Sequence, residues 1–253
     1  MNKMDQQTRT GRIKKERRFD KTQLRASHYG YVVHRDFASH FFRWGWVSRH
    51  IKHGSTILDV GCGQDVALAR VLSGRIGGNR EQYVGIDLNR INKPFNAKWC
   101  TVLDEFNFIK DYMELKKYAP KGFDYIVNLE MIEHMNIIDG KKLLKNIYNL
   151  LSDDGLLYLS TPVFNGKKAA NHIYEYRITE LKKLLDSCGF FVKRRYGTFI
   201  SKFDLKKVCK PKHWEVYEQL EEYYGGDVMS TFLAPLYANQ ARNNLWVLRK
   251  DCK

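Results

Sequence analysis

Glu130, Glu133 and His134 fall within five positions of one another, at the end of a strand-like run in FDYIVNLEMIEHMNIIDG, residues 123–140. Two carboxylates and an imidazole suit proton transfer. They also suit ligation of a divalent cation such as Mg2+, Mn2+ or Fe2+. If residues 130–134 form a helical turn, positions i, i+3 and i+4 share one face. His172, ahead of the aromatic run IYEYR, is a further candidate. Two readings stay open. In one, Glu130, Glu133, His134 and His172 hold a metal. In the other, Glu130 is an acid beside a cofactor, His134 a general base or a hydrogen-bonded core histidine, and His172 a loop residue.

A second group surrounds LDVGCGQD, which follows one strand and opens a helix. Gly61 and Gly63 let the backbone turn sharply and approach a ligand without a Cβ clash. The helix start behind them offers unpaired N–H groups. Asp87 ends the next strand, at the separation where an acid commonly binds ribose hydroxyls. A dinucleotide site asks for a third glycine three positions on, and Val66 stands there. Asp59, just before the turn, would repel a pyrophosphate and suits a cationic ligand.

These residues need a scaffold. STILDVG (55–61), QYVGID (82–87), AKWCTVL (97–103), FDYIVNL (123–129), GLLYLST (155–161) and FFVKRRYGTFI (190–200) read as strands. QDVALARVLSG (64–74), FIKDYMELKKYA (108–119), DGKKLLKNIYNLLS (139–152) and ITELKKLLDSCG (178–189) read as intervening helices. Short apolar strands separated by helices predict an α/β fold, a parallel sheet covered on both faces. Residues 1–22 read as a basic flexible arm, and 23–253 as one domain. Within it, Val33, Phe37, Phe41, Trp44 and Val47 mark the apolar face of a helix over 31–51. That helix closes over a ligand or packs with its charged residues toward solvent. Residues 203–242 form a helical insertion before a last strand, NNLWVLRK (243–250). Its lysines and aromatic residues suit phosphates and bases, or a small subdomain core.

The motifs ILDVGCGQD, YVGIDLNR, FDYIVNLEMIEHM and LLSDDGLLYLSTP, in that order, resemble the class I S-adenosylmethionine-dependent methyltransferases. The resemblance covers roughly residues 55–201 and the closing strand. It implies a seven-stranded Rossmann-like sheet, mostly parallel, with an antiparallel last strand and helices on both faces. It implies S-adenosylmethionine as cofactor, with Asp59, Gly61 and Gly63 along its methionine and ribose side. Asp87 would take the ribose hydroxyls, with Leu88 next to it, and Asp104 the adenine amino group. Leu129 and Glu130 would lie beside the methyl donor. EMIEHM and HIYEYR are similar to the Glu-x-x-Glu-His run and later histidine of metal-dependent 2′-O-methyltransferases of small RNAs. Ubiquinone-pathway O-methyltransferases share the first of these. The resemblance thus adds Mg2+ or Mn2+ on Glu130, Glu133, His134 and His172, with Glu130, His134 and His172 catalytic. Overall the chain is similar to uncharacterised methyltransferases of bacterial viruses.

The formal charge of +15 favours polyanionic partners. The expected substrate is therefore a nucleic acid or nucleotide, methylated on oxygen or on a modified base. The alternatives are a small-molecule O-methyltransferase and a non-catalytic nucleic-acid adaptor. The chain has neither a Pro-Pro nor a Pro-Cys dipeptide, which argues against the usual DNA base methyltransferases. Five scattered cysteines suit a reducing cytoplasm. No apolar run is long enough to predict a membrane span or a secretory signal.

Overall fold

The computed structural model describes residues 35–76, 82–92 and 95–251. The arm expected at 1–22 lies outside them. Seven strands form one sheet: β1 (Thr56–Val60), β2 (Gln82–Ile86), β3 (Cys100–Leu103), β4 (Phe123–Leu129), β5 (Leu151–Pro162), β6 (Phe190–Phe199) and β7 (Asn243–Lys250). Their order is β3-β2-β1-β4-β5-β7-β6. The first five pair in parallel, and β7 inserts antiparallel between β5 and β6. This is the seven-stranded Rossmann-like methyltransferase sheet, and the order reverses at β1/β4. Ligands of such sheets bind outside the carboxyl ends of the strands at that reversal.

Strand β4 is central because it tolerates burial on both faces. Phe123, Tyr125, Ile126 and Val127 are buried, and buried Asn128 donates from Nδ2 to the Val60 carbonyl at 2.9 Å. On one face, helices α4 (Ile137–Leu150) and α5 (Ile178–Ser187) pack Leu143, Leu144, Ile147, Leu181 and Leu185 onto the sheet. On the other, α1 (Arg35–His50) and α2 (Ala67–Ile76) contribute Trp44, Val47, Leu68 and Leu72. Asn136 caps α4 by accepting from the Asp139 N–H at 2.9 Å.

Two local differences from the sequence pattern have physical reasons. The helix expected at 108–119 is a single α-turn, α3 (Phe108–Asp111), followed by a 3-10 segment at Tyr112–Lys117. Within it only Phe108, Leu115 and Ala119 are fully buried, too few anchors for a regular amphipathic helix. Strand β5 begins at Leu151, so the end of the helix expected to 152 and the acids Asp153 and Asp154 lie inside the strand. The β4–β5 register jumps between Phe123↔Leu151 and Tyr125↔Leu156, so the extra residues bulge out. Residues 202–237 fold as α6 (Lys202–Val208), α7 (Pro211–Tyr224), α8 (Gly226–Leu233) and a 3-10 turn, Ala234–Tyr237. Tyr217, Met229, Leu233 and Tyr237 build a third core there, with Trp214 stacked on Tyr217 at 4.9 Å. Trp214, Tyr217 and Tyr237 therefore pack the segment together, whereas Phe203, Tyr223, Tyr224 and Phe232 stay exposed.

Candidate active site

A cavity of about 690 Å3 opens at the carboxyl ends of β1, β4 and β5, a volume ordinary for a small-molecule site. The β1 end supplies Asp59, Gly61, Cys62 and Gly63 to its wall. Gly61 and Gly63 have φ of +79° and +74°, where a side chain would be strained. A Cβ on Gly61 would meet the Met131 sulfur at 2.9 Å, whereas beside Gly63 there is open space. Gly63 thus presents bare backbone. Its N–H donates to Asp87 Oδ2 at 3.1 Å, which fixes that carboxylate at the edge of the turn. Asp87 is half-buried, Leu88 is exposed and Asp104 accepts from the Ile91 N–H at 3.2 Å; none of the three lines the cavity itself.

Asp59 is buried and accepts from the Tyr83 hydroxyl at 2.6 Å. Burial raises its carboxyl to about 7. The Tyr83 bond opposes this shift and the nearby Asp87 adds to it. A cation arriving in the cavity would restore the ionised form.

The opposite wall is built from the end of β4 and the loop after β5. Leu129 ends the strand and lines the cavity with Glu130, which leaves it with φ +55°. This left-handed kink separates it from the short 3-10 turn at Ile132–His134 that follows. Glu130 Oε1 accepts from Ser160 Oγ and Oε2 from Asn243 Nδ2, both at 2.8 Å. Glu133, His134 and His172 converge instead: one ligand atom from each lies within 4.8 Å of the others. Glu130 is not part of that group, so the expected four-residue set becomes three.

Each member of the trio is oriented from behind. Glu133 is almost wholly buried, and its Oε2 accepts from Thr161 Oγ1 at 3.0 Å. Burial first, then the Glu130 charge, push its carboxyl well above the usual range. His134 Nδ1 lies 3.0 Å from the Asn171 carbonyl. A carbonyl only accepts, so Nδ1 carries the proton and Nε2 presents a lone pair. Desolvation lowers the pKa of this ring, although the Asn171 bond opposes the shift. His172 Nδ1 is 2.6 Å from Glu175 Oε1. Burial works to raise the Glu175 carboxyl, but Arg242, the Ala169 N–H and His172 together hold it low. Glu175 is therefore an anion that accepts a hydrogen bond from His172 Nδ1–H and leaves Nε2 free to ligate. Arg242 grips Glu175 from Nη2 at 2.7 and 2.8 Å.

Helix α1 covers the site, and the predicted apolar face is buried in part, at Trp44 and Val47. Ser39, Arg43 and Val47, four apart, are buried, whereas Phe41 is 47% exposed. Ser39, His40, Arg43 and Trp44 line the cavity. Arg43 is turned inward, in contrast to a helix that keeps its charges in water. His34 and the side chains of Arg35 and Asp36 lie outside the described residues. Sequence reasoning missed Glu175 as an orienting acid and Arg242 behind it. For Arg43 the available signal was the four-residue spacing of Ser39, Arg43 and Val47.

A family model described as a methyltransferase domain matches residues 46–219. The solved 1,6-didemethyltoxoflavin-N1-methyltransferase of Burkholderia thailandensis is similar in fold, with a TM-score of 0.57 at 15% identity, over 96% of this chain and 87% of that one. Mitomycin 7-O-methyltransferase gives a TM-score of 0.51 at 13% identity, over 83% of this chain and 53% of its own. Sphingolipid C9-methyltransferase 2 of Gibberella zeae is 32% identical over 111 residues, 42% of this chain. The match spans only about 20% of that relative's length.

These findings correct the expected partner. The two solved relatives are named for small molecules, not nucleic acids. The physical reason is that net charge describes the whole surface, whereas in this cavity Asp65 and Glu130 already balance Arg43 and Arg242, and burial raises the carboxyls of Asp59 and Glu133. That lining does not attract a polyanion. Among the described residues, no helix is long and apolar enough to cross a membrane.

Proposed function

Because this chain belongs to the methyltransferase-domain family and is an S-adenosylmethionine-dependent methyltransferase, we propose that it methylates a hydroxyl oxygen of a small molecule, with a divalent cation on Glu133, His134 and His172. The observation that carries this reading is the meeting of those three ligand atoms within 4.8 Å on the wall of the cavity that also holds Gly61 and Gly63.

In this reading Asp59, Gly61 and Gly63 bind the methionine and ribose side of the cofactor. Asp87 takes the ribose hydroxyls, with Leu88 and Asp104 toward the adenine. Leu129 and Glu130 flank the methyl donor. The fit is chemical: open space beside a bare Gly63 and a buried acid at Asp59 both suit a cationic sulfonium ligand. S-Adenosylmethionine supplies the methyl group and leaves as a neutral thioether. The donor trio, one carboxylate and two imidazoles, fits Mn2+ or Fe2+ better than Mg2+, which prefers oxygen throughout. A cation held there lowers the pKa of an adjacent hydroxyl. The residues do the rest. Glu175 and the Asn171 carbonyl hold the two imidazoles in place, and Thr161 fixes Glu133. With the Nε2 lone pairs of His134 and His172 given to the cation, the acidified hydroxyl loses its proton to solvent as the acceptor binds. Helix α1 keeps water away while the acceptor oxygen is aligned.

The same His134 geometry also supports a metal-free route with this ring as sole general base. Transfer of labelled methyl groups to a panel of small alcohols and phenols separates the two. The proposal expects loss of turnover on exhaustive chelation, recovery with Mn2+ above Mg2+, and no recovery in Glu133→Gln. Full turnover after chelation would establish the metal-free route.

A further inference from the structure

We infer that the acceptor molecule carries a carboxylate, and that Arg43 binds it. This deepens the preceding reading and rests on it, because it names the acceptor for the same cavity.

The inference starts from a buried cation that is poorly satisfied. Arg43 is 1% exposed and lines the cavity. Its Nε has no hydrogen-bond partner among the described residues. Its Nη1 reaches Thr198 Oγ1 only at 3.4 Å and Glu130 Oε1 only at 3.7 Å. A guanidinium offers five N–H donors in a rigid fork, and burying that charge without close partners is costly. Glu130 is not the missing partner, since its bonds to Ser160 and Asn243 at 2.8 Å hold it in place 3.7 Å from Nη1, beyond hydrogen-bond distance. Arg242 shows the contrast. It spends its guanidinium on two close bonds to Glu175 and another to the Val163 carbonyl. Of the two arginines lining the cavity among the described residues, Arg43 is the one with donors to spare.

A planar carboxylate matches an arginine fork. The charge balance selects a monoanion. One guanidinium can neutralise a single negative charge, whereas Glu130 at 3.7 Å disfavours a more highly charged group. The acceptor would then span the cavity, its acid on Arg43 and its hydroxyl toward His134 and His172.

Calorimetry on the full chain loaded with S-adenosylhomocysteine tests this with matched probes: salicylate against salicylamide, and 4-hydroxybenzoate against 4-hydroxybenzamide. At least one acid should bind tenfold or more tightly than its amide. Arg43→Gln should erase that preference, and Arg43→Lys should restore only part of it; homocysteine-product binding and thermal unfolding report whether each variant folds. The wild-type comparison stands even if a variant does not fold. If no acid outbinds its amide, including the case where none binds, the inference falls. It also falls if a folded Arg43→Gln keeps the preference. Methyl transfer to neutral hydroxyl compounds alone would overturn the carboxylate while sparing the methyl-acceptor reading. Failure of transfer to any hydroxyl would count against that reading and leave the acid preference measurable.

Discussion

Asp59 is a carboxyl held protonated by its own surroundings, with burial raising it from 3.8 to about 7. A group whose folded pKa is raised in this way binds more protons folded than unfolded. Its ionisation therefore costs stability as pH climbs from about 4 to about 7. A sulfonium ligand favours the ionised form, so cofactor binding should release a proton below pH 7, and affinity should rise between pH 6 and 8. Calorimetry in buffers of different ionisation heat reads this directly; a pH-independent affinity would contradict it. Asp59→Asn should then stabilise the free protein at pH 8 while weakening the cofactor. Glu175 belongs to the same scale. Removing an acid that orients a metal-binding histidine typically costs 10–100-fold in metal affinity. Glu175→Gln should weaken Mn2+ by about that factor, and an unchanged affinity would mean that His172 is not a ligand. Residue identities here were legible, since Glu130, Glu133 and His134 crowd together and His172 precedes a distinctive run. Their grouping was not. A helical turn predicts Glu130 beside Glu133, and a single backbone angle of +55° sends it elsewhere.

At the scale of elements, the helical segment after β6 is clamped to the sheet through Gly197. A Cβ there would collide with the Ala234 carbonyl oxygen and sit 2.7 Å from the Ala241 side chain. Overpacking of this kind costs about 1–3 kcal/mol. Gly197→Ala should lower the denaturant midpoint accordingly. An unchanged midpoint would show that the turn at Ala234–Tyr237 yields easily. Strands and helices were readable because apolar runs in the sheet centre are short and the helices between them are amphipathic. The face of α1 was legible only at Trp44 and Val47, for a related reason. Hydrophobicity reports which side of a helix prefers to leave water, and α1 turns Ser39 and Arg43 inward toward a polar cavity. Functional surfaces break the pattern that predicts ordinary ones.

For the whole molecule, charge was the least informative signal about the substrate. The excess of +15 is real, yet residues 1–22 alone carry eight Lys and Arg against three Asp and Glu, and the cavity wall is rich in acids. Topology said more: the reversal of strand order at β1/β4 puts the glycine turn and the trio on one cavity. The central claim is that methyl donor and metal share this space. It is tested most directly by anomalous diffraction from crystals grown with S-adenosylhomocysteine and Mn2+. The account predicts a manganese peak among Glu133, His134 and His172, with the cofactor sulfur facing it across the cavity from Gly61. Manganese absent from those three side chains, or a cofactor lodged outside the cavity, would contradict it.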